Sequence, residues 1–386
     1  MDAQFALDLI QNLNLQNNAT SFIVSPLSIT LTLTLAYIGS GGETRREFQH
    51  RFKINDISEH QLLNRLSQYV ELSNADNSLF NVWSQGYMPM DHFIREEYQQ
   101  KLAKLFGIPF KRLDFGDQEL AAKTINYDVS QQTNGKINRI INSNSINPQN
   151  TLLLSALYFN AFWTDKFTWS ENKPFHLNSK TQRTVEMMHL KTNPTEHDAL
   201  YSENELFRVL QLPYTTLQIP TTNLSSSPWK TKRRMPSFYF NVFLPKDRFG
   251  LDSALAKMNA ESLHGLLNRL ERGHFDIGMP SFHVEYEAEL TSTLKSMGLV
   301  SAFDPLVANF SAINHQLPIY INSVGHKATI DVTKYGTVAT AATFMKYIPL
   351  CGYIDPPIVN FYVDEPFFYM ITSRSNDILF SGVYRG

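Results

Sequence analysis

The chain shows two hydrophobic rhythms, and the change between them falls near residue 150. In the first part, apolar residues recur every three or four positions, as on one face of a helix; Phe5, Leu9 and Leu13 are the first such set. Ser25-Pro26 opens a segment that is predicted to be a buried helix, and proline is well tolerated at the first position of a helix. This spacing predicts helices over 26–38, 43–52, 91–105 and 118–132.

Strand-like runs dominate the rest of the chain, with two further helical stretches among them. The runs are apolar throughout or alternate between apolar and polar residues, which is typical of strands. We predict helices over 251–270 and 286–298 and strands over 152–159, 207–212, 238–243, 275–284, 319–331, 358–363, 367–373 and 378–384. Because helices come first and strands later, without regular alternation, we predict an α+β fold rather than a doubly wound α/β fold.

One late segment has the composition of a strand but lies beside a loop. From Gly336 to Phe344 it contains no charge and no proline, whereas prolines and a glycine follow from residue 349 onward. Alternate residues on one of its faces are all small, namely Thr337, Ala339, Ala341 and Thr343. Such a strand is able to enter a finished sheet; the alternative is an ordinary edge strand followed by a prolyl turn.

Composition narrows the class of protein. The 386 residues are 43% hydrophobic and 12% aromatic, enough for a large core, and the formal net charge is -2. A nearly neutral chain is not expected to bind nucleic acid, and no apolar run is long enough for a membrane span. Cys351 is the only cysteine, which excludes internal disulfides and a cysteine-based zinc site. We expect neither a metal nor a cofactor.

The first ten residues give information on the cellular compartment of the protein. Residues 1–10 are acidic and amphipathic, without the basic region, apolar stretch and small-residue cleavage site of a signal peptide. Together with the lone cysteine, this predicts a cytoplasmic or non-classically secreted protein. The alternative is an extracellular protein whose signal peptide was removed before this numbering begins.

Residues 215–236 separate two predicted strands by more than the roughly two to five residues that a hairpin needs. The stretch is rich in Thr, Ser and Pro and is predicted to be an inserted surface loop. Its basic tip is a candidate contact for a polyanion, and the alternative is a solvated loop. The basic residues are Lys230, Lys232, Arg233 and Arg234.

No motif of a known catalytic type is present. The sequence lacks a Gly-x-Ser-x-Gly elbow, a phosphate-binding glycine loop followed by Lys-Ser/Thr, and His-Glu-x-x-His. Cys351 is a candidate nucleophile by residue type, but Pro349 and Gly352 indicate a loop, and nucleophiles are held on preorganised supports. We therefore predict a binding protein rather than an enzyme.

A series of short motifs, in order and at characteristic spacing, extends over about residues 4–384. The segment His326-Lys327-Ala328-Thr329-Ile330-Asp331-Val332, with the small-residue stretch that begins at Gly336, resembles the serpin hinge. The other motifs are soft individually and specific together: Ser25-Pro26-Leu27-Ser28-Ile29, Thr133-Asn134-Gly135-Lys136-Ile137, Ala156-Leu157-Tyr158-Phe159 with Trp163 and Phe167, Met297-Gly298-Leu299, Ala302-Phe303, Asn309-Phe310-Ser311, Glu365-Pro366-Phe367 and Leu379-Phe380-Ser381-Gly382.

The resemblance implies a single serpin domain over 1–386, of the ovalbumin-like type without a cleavable signal peptide. It implies three β-sheets, about nine helices, and a hinge and exposed reactive-centre loop over 336–357. Serpin inhibitors are suicide substrates, because the cleaved loop inserts into sheet A and traps the protease as an acyl-enzyme. The loop is expected to stay outside its sheet until it is cut. The implied hinge residues are Gly336, Thr337, Val338, Ala339, Thr340, Ala341, Ala342 and Thr343.

Family spacing implies where the protease cuts. Counting fifteen residues with Gly336 as the first gives the bond Leu350-Cys351. Because the loop is about three residues longer than usual, counting from its other end gives Tyr353-Ile354. Both bonds suit the hydrophobic pocket of a chymotrypsin-like protease. Cleavage after Lys346 by a trypsin-like enzyme is a third option.

The resemblance also implies structural positions, which are Ser25, Ser28, Ser155 and His326 beneath sheet A and Trp163 and Lys334 at its head, the breach. Three residues of these two regions depart from the family pattern, and in the hinge Val338 stands where Glu is common. Lys334 stands where Glu is usual, and Ser281 follows Pro280 where the partner Lys of that Glu is usual. Ser155 replaces an Asn and is expected to need a bridging water. The loop-opening region is therefore expected to be held differently, with a risk of spontaneous insertion or polymerisation.

The implied function is inhibition of a chymotrypsin-like serine protease, of the cathepsin G or elastase type. The inhibitor would be a monomer that polymerises if the loop inserts in trans. A non-inhibitory serpin acting as a carrier, chaperone or storage protein is one alternative, and the small hinge residues argue against it. Cross-class inhibition of papain-like cysteine proteases is another, with which the hydrophobic loop is compatible.

Overall fold

The computed structural model describes residues 3–54, 58–74, 79–147, 151–195, 197–215, 238–337 and 357–386. Within these residues it has nine α-helices: α1 (Ala3–Gln16), α2 (Pro26–Gly39), α3 (Gly42–Arg51), α4 (Glu59–Asn74), α5 (Glu96–Phe106), α6 (Gln118–Gln132), α7 (Leu251–Lys257), α8 (Ala260–Asn268) and α9 (Thr291–Ser296).

The same residues form eighteen β-strands: β1 (Phe22–Val24), β2 (Phe80–Pro89), β3 (Lys111–Leu113), β4 (Thr151–Phe159), β5 (Ala161–Phe162), β6 (Trp169–His176), β7 (Gln182–Thr192), β8 (Leu200–Glu203), β9 (Phe207–Pro213), β10 (Phe238–Pro245), β11 (Glu271–Arg272), β12 (His274–Pro280), β13 (Phe282–Glu289), β14 (Ile321–Thr333), β15 (Gly336–Thr337), β16 (Ile358–Tyr362), β17 (Phe367–Ser373) and β18 (Ile378–Tyr384).

The strands form three sheets, named A, B and C here. Sheet A has the order β3-β2-β4-β14-β15-β5, and β13 also pairs with β14. Sheet B has the order β1-β18-β17-β10-β9-β8-β11, and sheet C the order β16-β12-β7-β6. Strand β14 runs parallel to β4 along most of its length and antiparallel to β15 at its upper end. The predicted α+β fold with three sheets and about nine helices is therefore confirmed.

Helix α2 lies between sheets A and B, where it packs against β2, β4 and β18. All its residues are buried, which agrees with the predicted buried helix. Three buried threonines remain compatible with this position because each hydroxyl donates to the carbonyl four residues earlier. The distances are 2.7 Å for Thr30, 2.9 Å for Thr32 and 2.7 Å for Thr34.

Several predicted elements need correction. The helix predicted over 91–105 begins only at Glu96. The helix predicted over 251–270 is two helices, because Asn259 starts a new one by accepting a hydrogen bond from the Ser262 N–H at 2.8 Å. Helix α4 and strands β2, β6 and β7 were not predicted at all.

The predicted strand over 275–284 is two strands in different sheets, β12 in sheet C and β13 in sheet A. The chain crosses at Pro280, after which the Ser281 N–H donates to the Glu186 carbonyl at 2.8 Å. The helix predicted over 286–298 is also wrong at its start. Strand β13 continues to Glu289 with alternating burial, and the helix covers only Thr291–Ser296.

Several predicted features lie outside the described residues. These are almost all of the loop over 215–236 with Lys230, Lys232, Arg233 and Arg234, the hinge residues 338–343, and Lys346, Leu350, Cys351, Tyr353 and Ile354. Their roles stay predictions. Of the helices in the described ranges, none combines the length and the apolar character needed to cross a membrane.

Candidate functional site: the head and seam of sheet A

The first two hinge residues already form a strand of sheet A. Gly336 and Thr337 (β15) pair antiparallel with 332–333 of β14 on one side and with 161–162 of β5 on the other. The prediction that the hinge stays outside its sheet is therefore wrong for these two residues. Strand β15 with its neighbours β5 and the upper end of β14 is called the head of sheet A below.

A tight turn directs the chain back into the sheet. The carbonyls of Lys334 and Tyr335 accept hydrogen bonds from the N–H groups of Phe167 and Trp163, both at 3.1 Å. Gly336 then has a φ of +151°, and a Cβ built on it would lie 2.1 Å from the carbonyl oxygen of Ala161. Only glycine fits so close to a neighbouring backbone, which explains why the hinge begins with one.

The Thr337 side chain is fully buried and hydrogen bonded at the head. Its Oγ1 lies 2.6 Å from the hydroxyl oxygen of Tyr214. The Tyr214 ring stacks on Trp163 with centroids 4.6 Å apart, and the Trp163 indole N–H donates to the Thr333 carbonyl at 2.8 Å. Burial raises the pKa of Tyr214 far above its ordinary value, so the phenol stays neutral. The two aromatic residues therefore form a fixed floor beneath the hinge.

Below the head, sheet A is closed. Strands β4 and β14 pair directly, from Thr151 opposite Ile321 up to Tyr158 opposite Thr329. A strand that continued from Thr337 down the sheet would have to separate these two strands. This β4–β14 pairing is called the seam below.

Polar residues cross the seam from beneath. His326 of β14 lies opposite Ser155 of β4, and its Nδ1 is 2.8 Å from the Ser155 Oγ. Its Nε2 accepts a hydrogen bond from the Ser25 N–H at 3.0 Å, so Nδ1 carries the proton and donates to Ser155. Ser28 joins through its N–H, which donates to the Ser25 Oγ at 3.0 Å. The Ser155–His326 contact is direct, so the expected bridging water is not needed there.

His326 is fully buried, and burial lowers its pKa to about 3. The imidazole is therefore neutral at physiological pH. A neutral ring with one donor and one acceptor matches its two partners, Ser155 and the Ser25 N–H. The cluster thus joins the two strands of the seam to the start of α2 without burying a charge.

The structure brings together most of the site residues that were predicted within its described part. Trp163 and Lys334 lie at the head, and Ser25, Ser28, Ser155 and His326 lie beneath the seam. Sequence reasoning missed Tyr214, which follows strand β9 and carries no local sign of its contact with the hinge. It also missed Glu186, a residue of β7 that shares a cleft with Lys334.

Comparisons of this chain with known proteins agree with the three-sheet architecture. The family model for serpins (serine protease inhibitors) matches residues 1–385. The leukocyte elastase inhibitor of Homo sapiens is 28% identical over 399 residues, which cover 99% of this chain and 97% of that protein. A leukocyte elastase inhibitor of Xenopus laevis is 27% identical over 396 residues, covering 98% and 97% respectively.

Among solved structures, Serpin48 of the insect Tenebrio molitor matches with a TM-score of 0.80 at 24% identity. The match covers 99% of this chain and 96% of that one. A family model that spans almost the whole chain, together with the three sheets described above, leads to one assignment. The chain belongs to the serpin family of serine protease inhibitors.

Proposed function

We propose that this chain inhibits a chymotrypsin-like serine protease by inserting its cleaved loop into sheet A. The observation that carries the proposal is the position of β15. Gly336 and Thr337 lie between β14 and β5, antiparallel to both, directly above the seam. A strand that continued from Thr337 would enter between β4 and β14 in the orientation required for pairing with both.

The energy for trapping would come from the new strand. About fifteen inserted residues would extend roughly 50 Å at about 3.3 Å each. Ladder hydrogen bonds worth about 1 kcal/mol each would together contribute on the order of 10 kcal/mol. That is comparable with the stability of an ordinary domain, and it is enough to distort a bound protease. The small residues Ala339, Ala341 and Thr343 suit the buried face that Thr337 already occupies.

The proposed specificity rests on the loop sequence. Leu350 by one count, or Tyr353 by the other, would enter the primary pocket of the protease. Both are large and apolar, as a chymotrypsin-like pocket requires. The relatives named leukocyte elastase inhibitor support a serine protease target of the elastase type. The cathepsin G type is proposed from the loop sequence alone. We propose a monomeric inhibitor in a cytoplasmic or non-classically secreted compartment.

The test is incubation with chymotrypsin and, separately, with leukocyte elastase. We expect a protease complex that survives boiling in detergent with at least one of them. Mass spectrometry of the released peptide would distinguish cleavage after Leu350 from cleavage after Tyr353. Cleavage by both enzymes without any stable complex would contradict inhibition and favour a non-inhibitory serpin.

A further inference from the structure

A cleft of about 900 Å³ opens beside the head of sheet A, between β13 and β14 on one side and β7 of sheet C on the other. Its lining includes Lys334, which belongs to the turn immediately before the hinge, and Glu186 of β7. Ser281, at the crossing from β12 to β13, lies in the same cleft. The cleft therefore joins the residue before the hinge to a different sheet.

Glu186 is a fixed anion in this cleft. One carboxylate oxygen accepts a hydrogen bond from the Ser170 hydroxyl at 2.6 Å, and the other accepts from the Ser281 hydroxyl at 2.9 Å. Ser281 also donates its N–H to the Glu186 carbonyl at 2.8 Å. The hydrogen bonds from Ser170 and Ser281 hold the pKa of Glu186 below its usual value, and the nearby charge of Lys334 lowers it further.

Neighbouring charged groups in the cleft are held by other residues. Arg183 of β7, a second cation in the lining, donates a hydrogen bond to the Tyr384 hydroxyl at 3.3 Å. His283 lies 2.5 Å from Asp331, and Glu285 pairs with Lys327 at 2.7 Å. Lys334 is held through its carbonyl by the Phe167 N–H, and its ammonium lies 5.2 Å from the Tyr335 ring centroid. The backbone of the turn is thus anchored, and Lys334 and Glu186 line the same cleft.

The two departures from the family pattern compensate each other here. The usual Glu is replaced by Lys334, and the usual Lys is replaced by Ser281, which leaves no like charges in contact. Ser281 instead helps to position Glu186, which supplies the negative charge from sheet C. The electrostatic polarity across the breach is therefore reversed rather than lost.

We infer that Lys334 and Glu186 form a charge-reversed latch that ties the turn before the hinge to sheet C and slows further entry of the hinge into sheet A. The latch lies across an open cleft rather than in a direct ion pair, so it is weak and sensitive to salt. This inference rests on the proposed insertion of the loop. Its test uses no protease, so its failure and the failure of the proposed function are distinguishable.

The test is a charge-swap cycle read out as the rate of polymer formation on native gels, at one temperature below the unfolding midpoint. Lys334→Glu and Glu186→Lys each bring like charges together, and each should accelerate polymerisation by about fivefold. The double variant Lys334→Glu/Glu186→Lys restores opposite charges and should return to within about twofold of the unmodified chain. A merely structural role of either residue would not produce this rescue.

Lys191→Glu is the matched control. Lys191 lies on the same strand as Glu186, is 79% exposed and pairs with Asp276 at 3.5 Å outside the cleft. The substitution makes the same change in charge and should leave the polymerisation rate unchanged. Single variants that behave like the unmodified chain, or a double variant no slower than the singles, would overturn the latch.

A neutral variant provides a second test if the charge-reversed variants do not fold. Lys334→Met should accelerate polymerisation by about two- to threefold. At about 1 M salt the screening length falls to about 3 Å. This should accelerate polymerisation of the unmodified chain more than polymerisation of Lys334→Met. An equal response of the two proteins to salt would contradict the latch. If the chain traps a protease but none of these variants changes the polymerisation rate, the latch is rejected and the proposed inhibitory function is not.

Discussion

The head and the seam of sheet A differ in whether a hinge strand lies within the sheet. At the head, Gly336 and Thr337 occupy the position between β14 and β5, above a floor of Trp163 and Tyr214. At the seam, β4 and β14 are paired directly and joined through Ser155 and His326. The sheet is thus already entered at one end and closed along the rest.

The difference indicates where the barrier to the proposed loop insertion would lie. The first step, in which a hinge residue enters the sheet, is complete in the described structure. The remaining step requires the β4–β14 hydrogen bonds to break and the His326 cluster to rearrange. Substitutions at the head should therefore change how the loop engages, whereas substitutions at the seam should change the stability of the closed sheet.

The largest effect is expected at Thr337. Thr337→Arg would place a charge in a fully buried site against the Tyr214 hydroxyl, at a cost of several kcal/mol. The hinge should leave the sheet, and a protease should then cleave the loop without being trapped. We expect the amount of inhibitor consumed per trapped chymotrypsin molecule to rise at least about tenfold, as measured by titration of residual activity.

Thr337→Ser is the matched control, because it keeps the hydroxyl and its small size. It should retain trapping close to that of the unmodified chain. If Thr337→Arg also trapped the protease efficiently, the head would not be the entry point of the loop.

At the seam, His326→Ala should destabilise the protein by about 2–4 kcal/mol. The substitution removes the acceptor of the buried Ser25 N–H and leaves a cavity beneath sheet A. Urea unfolding followed by fluorescence measures the loss. The control His264→Ala changes an exposed histidine of α8 and should stay within about 0.5 kcal/mol of the unmodified chain. Equal effects of the two variants would show that the seam cluster contributes little.

The same histidine makes the stability depend on pH. Its pKa is about 3 in the folded state, below its ordinary value, so between pH 6.5 and pH 3 the unfolded state binds the extra proton. Stability should therefore fall as the pH is lowered through this window, by about 2 kcal/mol from pH 7 to pH 5. His326→Gln should lack this component, so the stability difference between the two proteins should shrink on acidification. A constant difference would contradict the neutral, buried histidine.

The smallest effect is expected at Tyr214. Tyr214→Phe keeps the ring on Trp163 but removes the partner of the Thr337 hydroxyl, at a cost of about 1 kcal/mol. The hinge should detach more often, and limited proteolysis of the loop should become a few times faster. Tyr127→Phe on the exposed face of α6 is the control and should have no effect. Unchanged proteolysis in Tyr214→Phe would show that the hydroxyl pair does not hold the hinge.

Much of the candidate site could be predicted from the sequence because its residues lie in local motifs. The small residues after Gly336, the run around His326 and the Ser25-Pro26 helix start are contiguous patterns with a direct physical meaning. They identify the family, and the family pattern supplies Ser155 and Trp163. Strand-like runs rich in apolar residues also located β9, β10, β17 and β18 to within two residues.

The rest depends on contacts between distant segments. The insertion of Gly336 and Thr337 is set by the space beside Ala161 and by Tyr214, far away along the chain. Glu186 resembles any exposed strand glutamate until the Ser281 and Ser170 hydroxyls are placed around it. Only the end of strand β13, residues 286–289, was predicted as the start of a helix, because a short stretch that mixes apolar and charged residues fits either period.

If the cleaved loop becomes a strand of sheet A, as proposed, the cleaved chain should be more stable than the intact one, and thermal unfolding measures this. The loop is cut within 338–356 by a protease that is then removed, and the unfolding midpoint is compared with that of the intact chain. About 10 kcal/mol of new strand pairing predicts a midpoint higher by more than about 10 °C. A cleaved chain that unfolds at the same temperature as the intact one, or at a lower temperature, would contradict the account.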